Sequence, residues 1–148
     1  MTKVNTLAAE RRRARHYALQ ALYQWSMTRA PLADIEAEFR LDNDFRHVDG
    51  DYFHDLLVGT AEHTDELEAV FQAKLDRALD DLDPIERALL RLGTFELRDR
   101  IDVPYKVVIN EAVALAKKFG ATDSYKYING ILDKVARDLR SIEIRADA

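Results

Sequence analysis

Residues 83–98 read DPIERALLRLGTFELR, and their pattern decides how the rest of the chain is read. Asp83 is a good helix N-cap, Pro84 suits the first helical position, and Glu86 completes a capping box. Ile85, Ala88, Leu89 and Leu92 then share one helical face, so a helix is expected from here to about residue 98. Downstream, a second helix is expected from about Pro104 to Gly120, with Lys117 and Lys118 in its last turn, where cations suit the helix dipole. Asp123 or Thr122 then caps a final helix whose core stripe is Ile128, Ile131, Leu132, Val135 and Leu139. The tail from Ser141 reads as frayed.

Upstream the same period recurs. Ala14, Ala18, Ala21 and Trp25 form one stripe of a helix over residues 7–28, closed by Pro31. A short acidic helix follows, with Leu32, Ile35 and Phe39 turned inward, and then a loop over residues 41–50. From Asp51 a longer helical region carries Phe53, Leu56 and Leu57, then Leu67, Val70, Phe71, Leu75 and Leu79. A break is expected near residues 60–65, with Thr64 as a possible cap. No strand alternation appears and only five glycines and three prolines punctuate the chain. The expected fold is all-α, about seven helices in two small bundles: an N-terminal one over residues 1–80 and a C-terminal one over residues 81–148. Gly93 and Gly130 interrupt helical patterns at a cost of about 1 kcal/mol each relative to alanine, and both are read as places of close helix packing.

Composition narrows the function. Hydrophobic residues at 47% and charged residues at 33% describe a chain able to bury a core, neither disordered nor membrane-embedded. No apolar run approaches the roughly 20 residues of a membrane helix, and the N-terminus lacks the apolar stretch of a secretory signal. The absence of cysteine excludes disulfides and thiolate metal sites and fits a cytoplasmic location. Net charge is −5, but it is unevenly spread. Residues 1–16 carry Lys3, Arg11, Arg12, Arg13 and Arg15 against Glu10 alone, a segment of +4 on a remainder of −9. Residues 32–51 alone hold seven acids. A basic end on an acidic body binds a polyanion locally while the body repels nucleic acid elsewhere.

On a helix, Arg11 and Arg15 lie about 60° from the Ala14 stripe. Arg12 lines up with His16, Leu19 and Tyr23 nearly opposite the core, and Arg13 with Tyr17, Gln20 and Gln24. The guanidinium groups fan out and cannot all be buried. Four arginines near a helix N-terminus oppose the helix dipole, so stability alone explains them poorly, although a solvated helix start is the plainer reading. Arginine forks match phosphate oxygens, and Tyr17 and Tyr23 could stack a splayed base. Leu19 and Tyr23, facing away from the local core, are read as covered by the second bundle or as part of a partner surface. At the start of the last helix, free N–H groups with Lys126 nearby make a second candidate anion site, where the Asp123 carboxylate would oppose a phosphate.

No catalytic constellation emerges. His16, His47, His54 and His63 lack metal-ligand spacing, and there is no P-loop, GxGxxG or GxSxG pattern. Residues 51–55, DYFHD, could in principle hold a metal but read more simply as a solvated helix face. Tyr105, Asn110, Glu111 and Asn129 are read as capping or packing residues. The expectation is a protein that is not an enzyme and needs no cofactor.

Several stretches together resemble one family. Residues 11–25, RRRARHYALQALYQW, are similar to the arginine-rich first helix of NusB proteins. Residues 51–59, DYFHDLLVG, and 85–97, IERALLRLGTFEL, resemble that family's middle helices. Residues 102–135, DVPYKVVINEAVALAKKFGATDSYKYINGILDKV, match its most specific pattern: a DVP-led run into INEA, then KxFG, then an aromatic-x-NG-x-LD segment. The resemblance spans about residues 8–140. It implies an all-α fold of two bundles, binding to single-stranded boxA RNA of ribosomal-RNA leader and phage transcripts, and a heterodimer with the ribosomal protein NusE. With NusA and NusG, that pair acts on RNA polymerase to suppress termination. The resemblance also implies an RNA surface of Arg11, Arg12, Arg13 and Arg15, with Tyr23, Asp123 and Lys126 as neighbours. It further implies a NusE surface on the C-terminal bundle with Glu86 and the nearby Asp80, Asp81 and Asp83, whose acidity fits a basic partner. Some members of the family form homodimers that bury the RNA surface. The competing readings are the helical module that opens certain ribosomal-RNA methyltransferases and an adaptor that binds only protein. The arginine cluster discriminates against the latter.

Overall fold

A computed structural model describes residues 3–147. Among the described residues there are eight α-helices and no strand, so the all-α expectation is met with one helix more. The chain divides into two compact units, Met1–Glu62 and His63–Ala148.

The first unit holds α1 (Lys3–Thr28), α2 (Leu32–Asp42) and α3 (Gly50–Glu62). Ala14, Ala18, Ala21 and Leu22 of α1 are buried, as are Ile35 of α2 and Tyr52, Phe53, Leu56 and Leu57 of α3. The small residues of the α1 stripe let α1 pack against α3. Leu32, Phe39 and Trp25 are only half-buried. α1 stops where Arg29 takes a left-handed conformation (φ 55°) and lays its guanidinium 4.4 Å over the Trp25 ring, with Pro31 two residues on. In the 43–49 loop, Asp49 Oδ1 accepts the Tyr52 N–H at 3.0 Å and so caps α3. The Asp49 N–H in turn donates to the Glu10 carbonyl at 3.2 Å, tying the loop to α1.

The second unit holds α4 (Thr64–Gln72), a 3₁₀ turn (Leu79–Asp81), α5 (Pro84–Asp99), α6 (Tyr105–Phe119), α7 (Ser124–Leu139) and α8 (Ser141–Asp147). The break near residues 60–65 is present, but His63 is the N-cap and Thr64 the first helical residue. α4 ends at Gln72, so Leu75 and Leu79 do not prolong its stripe. Because α4 packs on α5 and α7, the division falls at residues 62/63 and not near residue 80. A pattern of apolar residues shows which elements are amphipathic, but not which neighbour each one chooses.

α5 is the centre of this unit, buried from Ala88 to Leu97. Gly93 is there for close packing: a Cβ added to it would meet Leu132 Cδ1 of α7 at 2.8 Å. Gly130 is not; a Cβ there would meet nothing within 4 Å, which corrects the packing expectation at that position. Arg91, though charged, is buried because Glu68 of α4 receives both it (2.8 Å) and Arg87 (2.6 Å). Burial pushes the Glu68 carboxyl up, but the two guanidinium groups outweigh that and hold it below the ordinary value.

The expected fraying after Ser141 is also corrected. Arg140 is buried and donates to the carbonyls of Leu97 (2.7 Å), Glu96 (3.2 Å) and Arg100 (3.0 Å), adding to the backbone bonds that the last two already accept at the end of α5. It pairs with Glu143 of α8, and Glu143 accepts the Tyr105 N–H at 2.9 Å, where α6 starts. The tail is helical because it serves the ends of two other helices.

Candidate nucleic-acid interface

The arginines of α1 separate by their place on the helix. Arg15 is 4% exposed, 3.4 Å from the Tyr52 hydroxyl and 5.3 Å from the centre of that ring. Arg11 is half-buried, 4.6 Å over the same ring, with its Nε 3.5 Å from Asp49. Arg12 and Arg13 are exposed, and Arg13 donates to the His47 carbonyl at 2.9 Å. The expected four-arginine surface therefore contracts. Arg15 belongs to the interior, Arg11 bridges the interior and Asp49, and Arg12 and Arg13 present their charge outward.

The aromatic residues beside them separate too. Tyr17 is stacked on Phe45 at 5.3 Å and edge-on to Phe39 at 6.4 Å, inside a cluster that includes Phe53. Its ring is therefore already engaged within the unit. Tyr23 is half-buried. Leu19, expected on the back of α1, is fully buried. The helical wheel placed it opposite the Ala14 stripe, so α1 is covered on more than one side.

At the start of α7, Asp123 occupies the N-cap position, but its left-handed backbone (φ 67°) turns the side chain away and it makes no capping bond. Its carboxylate lies 3.4 Å from Lys126 Nζ. The Ser124 and Lys126 N–H groups are already used by the Ala121 and Asp123 carbonyls, so the expected cradle of free amides is largely closed. Lys126 remains exposed. Sequence reasoning missed Tyr127, whose hydroxyl donates to Asp76 at 3.0 Å under the Arg77 guanidinium, 4.3 Å over its ring. Burial and that hydrogen bond push the Tyr127 phenol up, while Arg77 and Tyr127 hold the Asp76 carboxyl down.

The acidic residues ahead of α5 are also partly committed. Asp83 caps the helix, accepting from Ile85 N (2.8 Å) and Glu86 N (3.3 Å). Glu86 does not close a capping box; it accepts the Ser124 hydroxyl at 2.6 Å and so joins α5 to α7. Asp80 is almost wholly exposed, its side chain 94% so, with Arg87 at 3.1 Å. His54, in the DYFHD stretch, hydrogen-bonds Glu36 at 2.8 Å, and Asn110 and Asn129 are exposed and not buried packing residues.

The NusB family model matches residues 12–137, nearly the whole of both units. The chain belongs to the NusB family. The transcription antitermination protein NusB of Teredinibacter turnerae is 59% identical over 140 residues, covering 94% of this chain and 95% of that protein. The structure of NusB from T. maritima is 31% identical with a TM-score of 0.77, covering 85% of this chain and 89% of that one. A NusB structure in complex with NusE and double-stranded RNA has the same fold, with a TM-score of 0.75 at 24% identity, covering 86% of this chain and 96% of that one. The matched residues include Arg12 and Arg13 of α1 and Asp123 and Lys126 at the start of α7.

Proposed function

We propose that this protein is a cytoplasmic transcription antitermination factor. In this reading it binds single-stranded boxA RNA of ribosomal-RNA leader transcripts together with NusE, and the pair acts with NusA and NusG on RNA polymerase. The observation that carries the reading is the exposure of Arg12 and Arg13 in the first half of α1 in a member of the NusB family whose remaining charge is strongly negative. Exposed guanidinium groups neutralise phosphates, and an acidic body suppresses binding to nucleic acid elsewhere. The structure of a NusB relative held with NusE and RNA supports the same pair of partners.

Within this reading Arg12 and Arg13 contact RNA phosphates. Arg11 and Arg15 position α1 against Tyr52 and Asp49. Tyr23 and Lys126 are further RNA neighbours, and Asp123 weakens the hold of Lys126 on phosphate. The NusE surface draws on the exposed Asp80 and Asp81, with Asp83 and Glu86 contributing through carboxylate oxygens that their intramolecular bonds leave open. The two surfaces give the ternary complex more affinity than either contact alone.

The test is fluorescence anisotropy with a boxA RNA and a scrambled RNA at two salt concentrations, with and without NusE. Preference for boxA that sharpens with NusE and weakens with salt is expected. Equal, weak binding of both RNAs in every condition would overturn the reading and leave a protein-only adaptor.

A further inference from the structure

Gly130 lies in the interior of α7, is exposed, and has nothing within 4 Å of where a Cβ would stand. Unlike Gly93, it has no internal packing reason, yet it carries the same helix penalty. It sits midway between Lys126 and Lys134, four residues from each, so the three positions form one stripe along the helix. The stripe borders a cleft of about 250 Å³, whose other lining includes Lys74, Asp76 and Tyr127.

The charges of the cleft are arranged to favour an anion. Its one carboxylate, Asp76, is engaged by Arg77 at 2.8 Å and by the Tyr127 hydroxyl. Lys74 is held by Asp138 at 2.7 Å, and Lys126 lies 3.4 Å from Asp123 and 5.9 Å over the Tyr125 ring. Lys134 has no ion pair among the described residues. Three lysines thus line the cleft beside the one lining residue that has no side chain. A missing side chain flanked by cations is what a phosphodiester chain needs to approach a helix closely.

We infer that Gly130 is a notch in α7 through which the backbone of a single-stranded RNA passes, with Lys126 and Lys134 on either side and Lys74 on the facing wall. The inference rests on the RNA-binding reading above and extends its Lys126 contact two turns along α7.

The test pairs stability with binding, using the full chain and a single-stranded boxA oligonucleotide. Gly130→Ala removes the helix penalty in open space, so its Tm should rise by about 2–4 °C. Its RNA affinity should nevertheless fall about threefold, and that of Gly130→Gln, which fills the notch, about tenfold. Lys134→Gln should reduce the dependence of log affinity on log salt by about 0.7. Unchanged RNA affinity in Gly130→Gln, with affinity still lost in an Arg12→Gln/Arg13→Gln variant, overturns the notch and leaves the RNA reading standing. Loss of NusE binding alone in Gly130→Gln also overturns it and gives the notch to protein. Failure of the unaltered protein to bind the oligonucleotide overturns both.

Discussion

The arginines in the first half of α1 and those around α5 are the same residue type put to different uses. Around α5, Arg87 and Arg91 converge on Glu68, and Arg140 binds carbonyls at the end of the helix. Their charge is consumed by the fold. In α1 only Arg11 and Arg15 are drawn inward, to Tyr52 and Asp49, while Arg12 and Arg13 keep their charge outside. A guanidinium is therefore functional or structural according to the partner it meets, and four consecutive-looking arginines can divide evenly between the two roles.

Removing a partner at the α5 network should have the largest effect. Glu68→Ala removes the carboxylate shared by buried Arg91 and by Arg87 and should cost about 3 kcal/mol in urea unfolding, without altering the RNA affinity of the folded fraction. The pH dependence has a definite sign. The Glu68 carboxyl is held below its ordinary value of 4.5, so its contribution is complete above that value and is lost as pH falls below it. A Glu68→Gln variant should show a flatter acid limb than the parent. An unchanged limb would mean that the network does not set acid stability.

Within α1 the contrast can be sharpened further. Arg15→Ala should lower stability by about 2 kcal/mol, since the guanidinium and its stem are buried over Tyr52, and should change the intrinsic RNA affinity little. The double variant Arg12→Gln/Arg13→Gln should do the reverse. Its unfolding free energy should stay within about 0.5 kcal/mol of the parent, while RNA affinity drops about tenfold and the salt slope falls by about 1.4. If Arg15→Ala and the double variant behave alike in both assays, the division of the cluster is wrong.

The smallest effect is expected at the head of α7. Asp123→Asn keeps a residue tolerant of the left-handed backbone and removes a carboxylate that holds Lys126 and repels phosphate. It should leave Tm unchanged and strengthen RNA binding by about two- to fivefold, read by anisotropy at low salt. Unchanged or weaker affinity would place this end of α7 away from the RNA.

Much of the architecture was legible from residues 83–98 outward. Asp83 and Pro84 mark the start of α5, Gly120 ends α6, and the Ile128 to Val135 stripe is buried as its spacing requires. The misreadings share one cause. Asp123 sits at a cap position without capping, Glu86 answers Ser124 and not its own helix, and Ser141 onward is helical because Arg140 and Glu143 serve α5 and α6. In each case the deciding partner lies far away in sequence or is fixed by a backbone angle that composition does not announce.

The sequence by itself determined the class of fold, the start of α5, the end of α6, and the concentration of positive charge in the first half of α1. These depend on caps, helix period and formal charge, which act within about one or two turns of chain. Only the tertiary structure decided that α4 belongs with the second unit, that Gly93 is packed and Gly130 open, and that Arg15 is buried while Arg12 and Arg13 are not. Burial depends on which neighbour covers a face, and that choice is made by side chains brought together from distant parts of the chain.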